Sequence, residues 1–154
     1  MNIFGILIFF GMLAKVSAKC ADSCECPEFP LMRIPGEDDF QFTKLAGCAA
    51  NATCITATTS VLLSFFTTSE IPIPTGNPQD NFEIIVDYPD NNQPSSKRSY
   101  ELFSLFGIIC DGGSWYATKY PKGILYYVGT EERRYTNFTA SYEGKRSKIP
   151  AFMW

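Results

Sequence analysis

Six cysteines, Cys20, Cys24, Cys26, Cys48, Cys54 and Cys110, carry most of the chemistry this sequence could perform. Thiolates can hold a metal, attack a substrate or pair into disulfides, and the remaining composition selects among these. Cys20-x3-Cys24-x-Cys26 lacks the paired Cys-x2-Cys knuckles of a zinc site, and the chain has no histidine to complete one. The missing imidazole also removes the commonest general base and every Ser-His or Cys-His nucleophile. Paired carboxylates occur at Asp38-Asp39 and Glu131-Glu132, with Glu25 and Glu28 beside the cysteine cluster. A retaining glycosidase needs two carboxyls about 5 Å apart in a cleft, whereas adjacent acids in polar surroundings are ordinarily just solvated. No catalytic residue, cofactor or metal is expected, and the chain reads as a non-enzyme.

An even number of cysteines in a short secreted chain points to disulfides, and the N-terminus points to secretion. Residues 3–13 form an apolar run too short for the roughly 30 Å hydrocarbon layer. Val16 and Ala18 place small side chains three and one residues before a cut after Ala18, the pattern of a cleaved signal peptide over residues 1–18. Residues 19–154 would then form a single extracellular domain, secreted, with no membrane span after cleavage. All six cysteines lie beyond that cut. Six cysteines allow 15 connectivities. A Cys24–Cys26 bridge would strain the required Cα spacing. Cys110 stands more than fifty residues from the others and closes a long loop whichever partner it takes; Cys54 or Cys48 is the expected partner, ahead of the N-terminal cluster.

With 13 basic and 16 acidic side chains the formal charge is -3, which leaves no basic field for nucleic acid. Asn51-Ala52-Thr53 and Asn137-Phe138-Thr139 are N-glycan acceptor patterns. The many tyrosines gather toward the C-terminal half. Trp115, Tyr116, Tyr126 and Tyr127 form the candidate contact surface, because exposed rings bring large area at small entropic cost.

The elements that must position these residues read as β. Residues 55–66 alternate apolar and hydroxylic side chains, and residues 82–88 alternate more clearly; each predicts a half-buried strand. Residues 100–110 are apolar on both faces, as in a central strand. Asp111-Gly112-Gly113 and Pro121-Lys122-Gly123 are turn sequences. Together these predict a three-stranded meander over residues 100–128. Pro-rich or polar joints separate the strands at 71–78 and 89–99, and no stretch carries a capped helical period. At 154 residues and 45% hydrophobic content the expectation is one all-β domain, a small disulfide-stapled antiparallel sandwich or partly closed barrel.

Three local patterns occur together: the N-terminal cysteine cluster, Gly47-Cys48-x5-Cys54-x-Thr56, and Cys110-Asp111-Gly112-Gly113-Ser114-Trp115. In this the chain resembles the small secreted six-cysteine extracellular domains of unknown function that are expanded in nematodes. The resemblance covers roughly residues 20–118 and leaves 119–154 as a C-terminal extension. It implies secretion and a disulfide-stapled β domain, and it brings no activity.

The function expected is that of a secreted, disulfide-bonded glycoprotein, an extracellular binding or structural module whose partner is an extracellular protein or glycan. The main alternative is a peptide precursor cut at Lys97-Arg98, Arg133-Arg134 or Lys145-Arg146, where Gly144 could become a C-terminal amide. An extracellular enzyme is the further alternative.

Overall fold

The computed structural model describes residues 24–32, 40–56, 61–76, 78–86, 98–129, 132–137 and 139–153. Residues 1–18, where a signal peptide is expected, lie outside the described residues, as do Cys20, Asp38-Asp39 and Lys97. Among the described residues, twelve strands fall into three sheets. The largest has the order β1 (Leu31–Met32), β12 (Ala151–Met153), β4 (Val61–Phe65), β5 (Pro78–Ile85), β9 (Ile124–Val128) and β10 (Glu132–Thr136). It is antiparallel except for the parallel pairing of β1 with β12. A second sheet joins β2 (Phe40–Lys44), β3 (Ala50–Thr56) and β6 (Arg98–Glu101). The third joins β11 (Ser147–Lys148), β8 (Ser114–Ala117) and β7 (Ile109–Asp111). This is the expected all-β, disulfide-stapled class, and among the described residues no barrel closes.

Alternation decides which face each strand buries. Phe152, Leu62, Ile84 and Ile124 sit opposite one another across four neighbouring strands of the large sheet, and all four are fully buried. Ser64, Phe82 and Tyr126, each two residues along its strand from that row, are buried with it. Ala50 and Ala52 bring the second sheet into this core, and Trp115 and Ala117 bring the third. On the opposite face of the large sheet, Val61, Ile85 and Leu125 form a small satellite cluster against Met153.

Several sequence expectations change. The run 55–66 is not one strand: β3 ends at Thr56 and β4 begins at Val61, in different sheets. Alternation alone carries no signal of a change of sheet. Residues 100–110 are not a central strand either. They hold the end of β6, a short helix α1 (Leu102–Phe106), and the start of β7. Glu101 caps this helix by accepting from the Phe103 and Ser104 N–H groups, at 3.2 and 2.8 Å. Gly107 closes it in the left-handed region, φ 56°, with its N–H on the Phe103 carbonyl. Leu102, Phe103 and Phe106 are buried, so the run looked apolar on both faces because one turn of helix buries most of it.

The meander is half present. Asp111-Gly112-Gly113 does fold β7 onto β8. The next turn, however, carries the chain out of that sheet, and β9 pairs with β5 and β10. Gly123, φ 88°, is the hinge of this exit: a Cβ there would lie 1.9 Å from the Thr136 carbonyl oxygen, closer than any side chain permits. A second helix, α2 (Thr139–Tyr142), leads to β11 and to β12, which inserts between β1 and β4.

Candidate functional site

Four of the six cysteines gather in one cluster. Cys24 bonds Cys48 and Cys26 bonds Cys110, with Cα atoms 4.5 and 6.0 Å apart. Cys110 therefore closes a long loop as expected, but its partner comes from the N-terminal cluster, not from Cys48 or Cys54. Cys24 and Cys26 flank a single residue, and β2, β3 and the β7–β8 hairpin converge on that segment, so two bridges leave it in different directions. Cys20 and the side chain of Cys54 lie outside the described residues. The two disulfides touch: the Cys24 and Cys110 sulfurs are 3.9 Å apart, and the sulfurs of Cys24, Cys48 and Cys110 all lie within 4.8 Å of one another.

Beside them opens a cleft of about 420 Å³, within the range of small-ligand sites. Cys24, Cys26 and Cys48 line it, together with Phe29, Phe42 and Trp115. Phe29 organises the aromatic wall. Its ring is 5.6 Å from Trp115 and 6.2 Å from Phe42, with Phe103 behind at 5.2 Å. The Trp115 indole N–H donates to the Pro27 carbonyl at 2.9 Å, which ties β8 to the cysteine segment. The polar part of the lining is an exposed ion pair, Lys44 Nζ to Glu28 Oε1 at 3.1 Å, and next to it Leu45 is 48% exposed.

A different arrangement holds the neighbouring C-terminal segment. The Ser147 hydroxyl is fully buried between the Tyr120 hydroxyl at 2.6 Å and the Ser69 hydroxyl at 2.7 Å. Tyr120 also donates to the Lys145 carbonyl at 2.9 Å. Burial pushes the Tyr120 phenol up to about 12, even though the Ser147 hydrogen bond acts the other way. Arg146 lies over the Tyr116 ring at 5.5 Å and reaches both Glu70, at 3.2 Å, and Asp111, at 2.5 Å. The Arg146 backbone N–H and then its guanidinium hold the Glu70 carboxyl below its usual range.

The remaining candidate residues separate. Asn51, on β3, and Asn137, after β10, are both exposed. Trp115 and Tyr126 are buried, at 6% and 7% exposure, so the expected aromatic contact face loses half its members. Each sits at an inward position of its strand: Trp115 packs on Phe29 and Phe103, and Tyr126 packs edge-on against Phe66. Tyr116 and Tyr127 stay half-exposed but belong to different sheets. Trp115 keeps a place in the site by another route, as a wall of the cleft. Phe29, Phe42, Lys44 and Leu45 were missed by sequence reasoning. The Phe40-Gln41-Phe42 alternation just ahead of Cys48 was the available signal for two of them.

Fold and site together define a small, all-β, disulfide-stapled module with a cleft beside its staples. The chain belongs to the family described as TRA-1 regulated protein R03H10.4, whose model matches residues 22–154. That match runs on through the C-terminal segment, beyond the part that the local motifs reached. Neither the curated proteins nor the solved structures gave a match.

Proposed function

We propose that this chain is a secreted glycoprotein, modified at Asn51 and Asn137, that acts as an extracellular binding module rather than a catalyst. The observation that supports it best is the cleft between Phe29, Phe42 and Trp115, with Leu45 exposed beside it. The Trp115 N–H is already committed to Pro27, and the two charged lining residues pair with each other. That leaves apolar contact as the main attraction, which suits an apolar side chain of a partner protein better than the hydroxyls of a glycan. Both acceptor asparagines are exposed, and neither lines the cleft, so glycans would leave it accessible.

The packing of the C-terminal strands counts against the precursor reading. Cleavage after Arg146 would separate β11 and β12 from the sheets they complete, and the fully buried Ser147 and Phe152 with them. Arg146 itself is held by Glu70, Asp111 and Tyr116.

Two measurements test the proposal. Intact mass of the product recovered from culture medium should show residues 19–154 carrying glycan at two sites; a chain retained in the cell rejects secretion. Titration of N-acetyl-leucine amide into labelled protein should move the Trp115 indole signal and the amides of residues 24–29 and 42–50. Shifts scattered over the large sheet, or none, reject the cleft as the site.

A further inference from the structure

We propose that Cys24, Cys26, Cys48 and Cys110 form a thiol–disulfide exchange cluster, in which an external thiol opens Cys24–Cys48 and the freed Cys24 sulfur re-pairs with Cys110. This goes beyond the binding reading and does not depend on it.

Four observations set the order of events. Cys24, Cys26 and Cys48 line the cleft, and Cys110 is not among its lining residues, so a thiol entering there meets the first three sulfurs. Of the possible leaving groups, Cys24 is the favoured one. The Cys26 backbone N–H donates to its sulfur at 3.4 Å, which stabilises a thiolate there. Cys110 is the disfavoured one, because the Glu25 carboxylate lies 4.0 Å from its sulfur and opposes a second negative charge. Finally, the Cys24 sulfur has a disulfide acceptor already in contact, Cys110 at 3.9 Å.

The steps balance as simple exchanges. The incoming thiolate attacks the Cys48 sulfur; a new sulfur–sulfur bond forms there, the Cys24–Cys48 bond breaks, and its electron pair leaves on Cys24. The Cys24 thiolate attacks the Cys110 sulfur, forming Cys24–Cys110 and expelling Cys26 as thiolate, which takes a proton from solvent. A second external thiol then releases Cys48 as a thiol and departs as the oxidised disulfide of the reagent. Two external thiols are oxidised, one protein disulfide is reduced, and the surviving bridge has moved. The rearranged state still ties the N-terminal segment to β7, so the fold keeps its long staple, and it leaves the Cys26 and Cys48 thiols both on the cleft.

Limited reduction of the full-length oxidised protein with dithiothreitol tests this. Samples are quenched in acid, alkylated and mapped without further reduction, using a glutamyl endopeptidase whose cut after Glu25 separates Cys24 from Cys26. In the species that has lost one of these bridges, the expected result is a Cys24–Cys110 peptide with Cys26 and Cys48 alkylated. Native Cys26–Cys110 with Cys24 and Cys48 alkylated overturns the proposal, as does native Cys24–Cys48 with the other pair alkylated. Cys48→Ser gives a second readout that needs no reductant: Cys24–Cys110 with a reactive Cys26 supports the relay, and Cys26–Cys110 with a reactive Cys24 rejects it. Wild-type mapping stands alone if that variant fails to fold.

Discussion

Two neighbouring regions of this molecule hold the chain together by different means. Around the cysteines, β2 buries little, and among the described side chains of its sheet the fully covered ones are small, Ala50 and Ala52. Two covalent bridges tie that sheet and the β7–β8 hairpin to the N-terminal segment, and the cleft opens between them. In the C-terminal segment, among the described residues, no disulfide is present. There β12 is inserted between two strands of the large sheet, and Ser147, Ser69 and Tyr120 satisfy one another's hydroxyls in the interior. Where the chain can bury enough apolar surface it relies on packing. Beside the cysteines, cross-links add to the packing of Phe29, Phe103 and Trp115, and a cross-linked region can keep an open cavity without collapsing.

The largest effect should come from breaking the packed region. A chain ending at Arg146 loses β11 and β12, with Ile149, Ala151 and Phe152 all buried in the intact protein. It is expected to show no cooperative unfolding transition by near-ultraviolet circular dichroism, with all cysteines still present. A truncated chain that melts cooperatively would show that the staples suffice, and the contrast between the regions would collapse.

Next come the staples themselves, removed pairwise to leave no stray thiol. In the chain-entropy model a closure of 84 residues is worth about 4.5 kcal/mol. The closure of 24 residues is worth about 3.5 kcal/mol. Thermal melting should therefore place the Cys26→Ser/Cys110→Ser protein below the Cys24→Ser/Cys48→Ser protein, and both below wild type. The reverse order would mean that the short bridge supports native contacts the long one does not.

How much of this was legible follows the same division. Cysteine type and number, the Asp111-Gly112-Gly113 hairpin and the alternation that became β5 are local features, and local physics fixes them. The partner of Cys110 is not local, because it depends on where β7 lies relative to residues 24–26. Nor is the burial of Trp115 and Tyr126, whose inward faces are set by the sheets they join. The α1 helix was partly readable from Glu101 and Gly107 at its two ends, yet its apolar run matches a buried strand equally well at that length. The cleft was not readable, since Phe29, Phe42 and Trp115 come from three separated segments.

A smaller effect should come from the hydroxyl cluster. Ser147→Ala removes the partner of the buried Tyr120 hydroxyl and the half-buried Ser69 hydroxyl and should cost about 1–3 kcal/mol by denaturant unfolding. Tyr120 adds a pH signature. Its folded value of about 12 exceeds the ordinary 10.0, so its contribution is complete below pH 10 and is lost as pH rises through 10 toward about 12. Tyr120→Phe should flatten the stability curve in that interval. An unchanged alkaline limb would show that the phenol is not buried as described.

The smallest effect probes the cysteine region. Glu101 joins β3 to α1, accepting from the N–H groups of Ala52, Phe103 and Ser104 at 3.3, 3.2 and 2.8 Å. Burial alone would raise its carboxyl, but the Ser104, Ala52 and Phe103 donors outweigh it and hold the value below the ordinary 4.5. The sign follows from linkage: this contribution is complete above 4.5 and is lost as pH falls through the lower folded value. Glu70, tied to Arg146, is also held low, so the acid limb of the wild type sums both regions. Glu101→Gln separates them. Near pH 7 the variant should be less stable by about 1 kcal/mol, the usual worth of a helix cap. That gap should close as pH drops below 4.5, because protonation makes wild-type Glu101 neutral as well. Two parallel curves would assign the loss to shape alone and remove charge from the hinge between β3 and α1.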